Sequence, residues 1–538
     1  MSPSTHHRPS RRPTLLSRRA VRALIAAIGG LAAAASAQPS LEHVSTTPAT
    51  SGGAEILAFD PASGTLYVTH ASGLDLYRFD AGTLTPAGSI DLHGVVPMLA
   101  DVTSVAIDPA GRGLGAVAVV PERSDTTPGV VVFLDTSSGS VVAQLRVGFH
   151  PDMVTFTPDG GAVLVANEGE PGEQADPAGG ISVVDLSAVR TIADARALGD
   201  DDAATYDLTA ANLAPGVTLG DVRISPANRD TPWLDVEPEY IAPDTDGAWV
   251  SLQENNALAR FDLASRTWTA VRSLGVQIQT IDASDADGGA MIDDEVAGMP
   301  MPDTIASYLV GGVRYIVTAN EGDVRAGDHV RLRDATLDPA VASILDLLYP
   351  DLAGGVRDDA ALGRLEISSI DGDRDGDGDI DVPTMFGTRS MSIFDEQGTM
   401  VSDSGVVLRQ FTALLFPDRF NSNGDAATVD TRSDDRGFEP EGVALATIDG
   451  GVYAFLGLER TSGVAVFDIT DPHALGMPSY INTAAYSRAP GGGVGPEGLC
   501  VVQSRGEHYV LVACEVSATI EVLRVVRDAP DAGPTGND

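Results

Sequence analysis

One unit of sequence recurs seven times between Ala54 and Leu523, and it constrains the fold more than any other feature. Each unit opens on an acidic or polar residue and continues as an apolar strand of period two. A Gly/Asp/Pro turn and a second strand follow, and a third strand usually ends in Asp. The third unit shows the pattern: Asp152 opens a strand, Pro158-Asp159-Gly160 turns the chain, Ala162–Asn167 returns, and Ile181–Leu186 follows. Fixed-period repetition over a 538-residue chain argues for an array rather than one small core. Short alternating strands broken by turn residues predict an all-β fold. Seven units of three or four strands predict a seven-bladed β-propeller, because radial closure leaves few exposed edges. A parallel β-helix is the competing architecture, with shorter and more uniform rungs. The last unit lacks a fourth strand, which Leu41–Ser45 can supply to close the ring. Long insertions are expected in blade 3 (Arg190–Leu219) and in blade 5, between Glu321 and Arg389. Val341–Leu348, inside the second, has short amphipathic helical spacing.

The opening residues are Glu55, Asp152, Glu239, Asp303, Glu441 and Glu497; the second unit has Thr103 instead. The residues that close the second strands are Glu168, Glu254, Glu321, Glu459 and Glu515. The first unit has His70 there, and the second has no carboxylate until Glu122. In propeller wiring both positions lie near the central channel, so eleven carboxylates are aimed at one mouth. Packed like charges repel and raise each other's pKa values unless cations neutralise them. Oxygen ligands without His or thiolate favour Ca²⁺, then Mg²⁺ or Mn²⁺. The alternative is a solvated acidic rim, or carboxylates that latch onto blade backbones.

A second acidic signal lies in the blade 5 insertion. Asp371–Thr384 contains Asp373, Asp375, Asp377, Gly378, Ile380 and Asp381, the DxDxDGxI core of a calcium loop. Thr384 stands where a bidentate Glu would be, and no clear helices flank the loop, so an EF-hand is not expected. A third patch, Asn421–Asp435, includes Asp434 and Asp435 and leads into Glu439, which predicts that it overhangs the mouth. Arg325, Arg389, Arg436 and Arg460 accompany these acids, as ion-pair partners or as a grip on phosphate bridged to metal.

Composition excludes several classes. All 34 basic residues are Arg, so a P-loop lysine and a Schiff-base lysine are ruled out. With 76 acidic residues and a net charge of −42, the surface repels nucleic acid and anionic lipid. Nine His without HxxxH spacing argue against a His-built zinc site. Five arginines from Arg11 to Arg22 precede an apolar run, Ala23–Ala35, and Ala35-Ser36-Ala37 forms a cleavage site before Gln38. Residues 1–37 therefore read as a signal peptide, with Ser17-Arg18-Arg19 leaving Sec or Tat export open. Its removal takes away six Arg and no acid, moving the charge from −42 to −48. The expected product is a secreted, periplasmic or cell-surface monomer with no membrane span and a disordered tail from 527 to 538. Cys500 and Cys514 sit in adjacent strands, so either a cross-strand disulfide or two buried thiols is open.

Several longer motifs carry a family resemblance: NEGEP at 167–171, EPEY at 237–240, LQENNALA at 252–259, ANEGD at 319–323, DGDGDID at 375–381, RSDDRG at 432–437, and EPEG at 439–442 with GLER at 457–460. Together they resemble the choice-of-anchor I proteins, bacterial secreted or surface β-propellers, over residues 45–525. Related modules occur in chains like the mesenchyme-specific cell-surface glycoproteins and beside 5′-nucleotidase-type phosphatase domains. The resemblance implies a propeller and export without implying one activity. Two function classes stay open. One is a metal-dependent phosphoesterase similar in plan to calcium-loaded propeller phytases. There Glu441 and Glu459 would serve the reaction, and Arg460 and Arg325 would orient a small phosphorylated substrate. The other is a non-catalytic, calcium-stabilised module for a protein or glycan. A quinone-dependent dehydrogenase fits least, because Trp233, Trp249 and Trp268 do not recur blade by blade.

Overall fold

A computed structural model describes residues 38–527, and its compact unit is Pro39–Val526. The expected signal peptide, residues 1–37, and the expected disordered tail beyond Arg527 lie outside the described residues. Arg527 itself ends a strand.

The described residues form seven four-stranded sheets, with a three-stranded and a two-stranded sheet besides. Blade 1 comprises Leu57–Asp60, Thr65–His70, Gly73–Asp80 and Thr83–Asp91. Blade 2 comprises Leu99–Ile107, Leu114–Pro121, Val130–Asp135 and Ser140–Arg146. Blade 3 comprises Pro151–Phe156, Ala162–Asn167, Gly180–Asp185 and Ala203–Asp207. Blade 4 comprises Pro238–Pro243, Gly247–Leu252, Ala257–Asp262 and Thr267–Ser273. Blade 5 comprises Ile305–Val310, Val313–Asn320, Ser390–Asp395 and Met400–Asp403. Blade 6 comprises Pro440–Ile448, Gly451–Leu458, Gly463–Asp468 and Gly476–Ile481. Blade 7 takes Pro496–Ser504, Glu507–Cys514 and Thr519–Arg527, and Pro39–Pro48 completes it from the N-terminus. The expected closing strand is therefore present.

The first strand of each blade contacts the first strand of the next, and Pro496–Ser504 contacts Leu57–Asp60, so the sheets form a ring. Consecutive strands within a blade run antiparallel, unlike the rungs of a parallel β-helix. Second strands such as Thr65–His70, Leu114–Pro121, Ala162–Asn167 and Gly247–Leu252 are buried along their whole length. They are sandwiched on both faces, which is why they read as nearly continuous apolar runs. Each junction between neighbouring blades has its own apolar cluster. Ala248, Val250 and Phe261 of blade 4 meet Leu164 and Val183 of blade 3, and Tyr453, Phe455 and Val466 of blade 6 meet Val510 and Val512 of blade 7.

Several local expectations change. The segment Arg190–Leu219 contains blade 3's outer strand, Ala203–Asp207, after a short helix Ile192–Ala195 capped by Thr191. That strand is polar because its outer edge faces solvent, so it lacks the apolar alternation of the inner strands. Helix appears at Pro339–Leu345, where the Asp338 carboxylate caps the N–H groups of Ala340 and Val341, and a 3-10 turn follows at Asp346–Leu348. A longer helix, Gly405–Leu415, has no forecast in the sequence; it buries Leu408, Arg409 and Thr412. The Cys500–Cys514 pairing is not formed. A two-residue turn sets Ser504 opposite Glu507, which puts Cys500 opposite Leu511 and Cys514 opposite Pro496, and both thiols are free. Among the described residues, no helix is long and apolar enough to cross a membrane.

Candidate functional site

Five blades use one device to place the opening acid. It follows a proline, as Pro151-Asp152, Pro238-Glu239, Pro302-Asp303, Pro440-Glu441 and Pro496-Glu497. In four of them the register slips directly after the proline: Pro151 pairs with Asn167 and Val154 with Val165, with the same slip at Pro238, Pro440 and Pro496. Two residues on the opening strand thus face one on its partner. This is a β-bulge, which re-aims a side chain, and the acid occupies it. Proline can begin such a strand because the ladder needs no N–H there. The residue before the proline is left-handed at His150 (φ 47°), Met301 (φ 47°), Glu439 (φ 47°) and Gly495 (φ 76°). Its carbonyl accepts from the closing residue's N–H: Glu168 to His150 (2.9 Å), Glu459 to Glu439 (2.9 Å) and Glu515 to Gly495 (2.8 Å). Opener and closer are thereby fixed as a pair.

The result is a cavity of about 350 Å³ lined by Asp152, Glu168, Glu239, Asp303, Glu321, Glu441 and Glu497, with Asp323 and one guanidinium, Arg436. Glu459 joins through a cluster in which Glu321, Glu441 and Glu459 each offer an oxygen within 4.8 Å of the others. Glu55 lies close enough to Asp101 and exposed Glu515 to feel both charges. Glu254 faces an adjoining groove instead, and Glu168 lines both spaces. Asp101 went unrecognised in the sequence. Thr103 takes the opener's place in blade 2 and donates to the Pro151 carbonyl (2.7 Å), while Asp101 sits two residues earlier between two register slips. Its charge raises the pKa of both Glu55 and Asp152. The cue was an acid in an irregular strand, displaced from the repeat.

Burial is the largest cause in the titration of this ring, and neighbouring carboxylates add to it. Asp152 is pushed up to about 6 and Glu55 to about 7. Asp303 and Glu459 also reach about 7, mainly through burial. Glu168, Glu239, Glu254, Glu321, Glu441 and Glu497 are pushed well above the ordinary carboxylate value, burial again being the largest cause. The Oε2 atoms of Glu239, Glu254, Glu441 and Glu497 are buried without a hydrogen-bond partner among the described residues. Unpaired buried oxygens of this kind are energetically unfavourable unless protonated or met by a cation. The donor set is all oxygen, which suits hard cations.

A mixed donor set, His150, Glu168 and Glu170, also converges, with His150 Nδ1 3.0 Å from Glu170 Oε2. The repeat pattern did not single out His150. In the Asp371–Thr384 loop, oxygens of Asp373, Asp375 and Asp381 converge within 4.8 Å, while Asp377 lies outside that set. The Asp373 carboxylate accepts from Gly376 N (2.7 Å) and Gly378 N (2.9 Å). Thr384 begins a buried strand and donates its hydroxyl to Val382 O.

Arg325, Arg436 and Arg460 are engaged by protein carboxylates, and Arg389 by backbone carbonyls. Arg325 lies between Asp235 and Glu237, both almost fully buried. Arg460 pairs with Glu439 and Glu459, each at 2.9 Å. Arg389 is fully buried and donates to the carbonyls of Asp282 and Ser433. Arg436 reaches Asp323 at 2.8 Å and still lines the ring cavity. Asp434 pairs with Arg331 and Arg364, and Asp435 with Arg432. These two acids are therefore already charge-paired.

Residues 55–472 match the family model described as the choice-of-anchor I domain. The chain is 29% identical over 228 residues to the mesenchyme-specific cell surface glycoprotein of Strongylocentrotus purpuratus, covering 35% of this chain and 28% of that one. It is 33% identical over 119 residues to Gigasin-3a of Magallana gigas, covering 21% of this chain and 41% of that one. It thus spans less than half the length of either relative. Among solved structures, the β-propeller domain of Cps50 (Swd1) from Myceliophteria thermophila aligns with a TM-score of 0.42 at 9% identity, covering 89% of this chain and 98% of that one.

Proposed function

Because the chain belongs to the choice-of-anchor I domain family, we propose that it is an exported, extracellular β-propeller module whose acidic channel holds divalent cations, Ca²⁺ first. One observation carries this reading: buried carboxylate oxygens of Glu239, Glu441 and Glu497, all on the cavity wall, have no hydrogen-bond partner among the described residues. Glu321, Glu441 and Glu459 are the first ligand set, with the remaining ring acids balancing further charge. Asp373, Asp375 and Asp381 form a second set, which would order the blade 5 insertion. The likeness to a sea-urchin cell surface glycoprotein supports placement outside the cytoplasm, whether secreted, periplasmic or surface-held. The module would work as a monomer toward an extracellular protein or glycan. The test is calcium titration of the EDTA-treated chain by calorimetry, together with its melting temperature. Saturable binding and a rise in Tm, both lost in Glu441→Gln/Glu459→Gln, support the site; no binding of any divalent ion overturns it.

A second reading, metal-dependent phosphoester hydrolysis, draws support from Arg436. Its guanidinium lines the same cavity as Glu321 and Glu441, where it could meet a phosphate bridged to bound cations. Water would attack phosphorus as the ester P–O bond breaks, and the alcohol would leave with a proton. Purified protein given a generic phosphate monoester with each divalent ion decides the matter: no turnover removes this reading and leaves the binding module.

A further inference from the structure

A groove of about 960 Å³ adjoins the ring cavity, and Glu168 and Asp323 line both. Its walls come from the blade 3–4 connection, the start of the blade 5 insertion and the calcium-type loop, represented by Asp235, Arg325 and Asp373. Two arginines contribute. Arg325 is already neutralised by Asp235 and Glu237, and Arg229 is exposed. The remaining charge is negative and partly uncompensated. Glu254 is 5% exposed, and its Oε2 has no hydrogen-bond partner among the described residues. Asp176 Oδ1, also on the wall, is buried without a hydrogen-bond partner among the described residues, while Asn228 hydrogen-bonds the same carboxylate. The chain has no lysine that could reach in as a partner. Pro171, Leu234, Val324 and Ile370 supply apolar wall between these acids.

We infer that this groove binds a small linear polyamine, whose ammonium groups pair with Asp176 and Glu254 and whose methylenes lie on the apolar wall. A compact hydrated metal ion would use the carboxylates and waste the apolar surface. An anion would meet net negative charge. A flexible chain with several protonated amines matches both components, and the volume is in the range of small-molecule sites. The relation to the calcium reading is one of neighbouring spaces, since Asp176 and Glu254 lie outside the ring cavity's lining.

The experiment is calorimetric titration of the full chain with spermine at about 0.15 M salt, where diffuse surface attraction is screened. It is run with saturating calcium and again in EDTA, so that failure of the calcium reading is visible separately. One-to-one binding in both conditions is expected. Asp176→Asn/Glu254→Gln should weaken it about tenfold or more. Asp201→Asn/Asp418→Asn, which neutralises two exposed acids elsewhere, should leave it within about twofold. Should the double variant not fold, Asp176→Asn alone serves, with melting temperature as the folding control. Absence of saturable binding, equal loss in both double variants, or a lysine peptide of equal charge binding about tenfold tighter than spermine would each overturn the inference.

Discussion

His43 Nε2 lies 2.7 Å from Glu521 Oε2, joining the N-terminal strand to blade 7 across 478 residues of sequence. Glu521 is fully buried and also accepts from Thr46 (2.6 Å) and Ser487 (3.0 Å). Glu521→Ala would strip several buried donors of their acceptor at the seam that closes the ring. Losing one partner of a buried pair costs about 3–5 kcal/mol. Denaturant unfolding should therefore show a loss of that order. Glu42→Ala, which removes an exposed partner of Arg524, should change stability by less than about 1 kcal/mol. Equal effects from the two substitutions would show that the clasp adds nothing to closure.

Neutralising the ring should have opposite consequences with and without metal. Burial and the charge of Glu459 both disfavour ionisation of Glu441 in the cation-free chain, and burial disfavours that of Glu459. Glu441→Gln/Glu459→Gln should accordingly raise Tm in EDTA. The same variant should lose the calcium-induced rise, which at a thousandfold excess over Kd amounts to about 4 kcal/mol in a protein that binds. A Tm that falls in EDTA would mean that these carboxylates act as structural latches.

The pH dependence has a definite sign. Glu55 and Glu459 are raised from 4.5 to about 7, and Asp303 from 3.8 to about 7, so the folded state holds protons that the unfolded state releases. Their contribution is fully favourable below the unfolded values and is lost as pH rises through the folded ones. In EDTA the melting temperature should fall between about pH 4 and pH 7, apart from the opposing trend of pairs such as Arg432–Glu439. Calcium should flatten that slope. A cation-free Tm rising steadily over this window would contradict the assigned environments.

The repeat made the propeller legible because each blade writes the same alternation between turns. It also revealed the ring, since the opening acids sit at fixed offsets from those strands. It could not reveal the bulge, because Pro-Asp and Pro-Glu read equally well as a turn until Pro440 is seen opposite Leu458 and Val443 opposite Leu456. Asp101 escaped for the complementary reason: two register slips move it out of the repeat's frame. The choice between a disulfide and free thiols stayed open because the Arg505-Gly506 turn fixes a register that sequence spacing alone leaves free. Arg325 and Arg460 showed their charge in the sequence and their partners only in three dimensions. Asp235 and Glu237 lie some 90 residues from Arg325.

That pairing yields a test of what Arg325 does. Its guanidinium compensates Asp235 and Glu237, which are 3% and 5% exposed. Arg325→Met would leave two buried acids without their cation, which costs about 3–5 kcal/mol. If the side chain is a strut, Arg325→Met should lose that stability with or without calcium, and Asp235→Asn/Glu237→Gln should recover much of it in the same background. If it instead grips phosphate, stability should hold, and any phosphoesterase activity should fall through KM. Unfolding curves for the single and triple variants separate the two, and unchanged stability in Arg325→Met would remove the structural assignment.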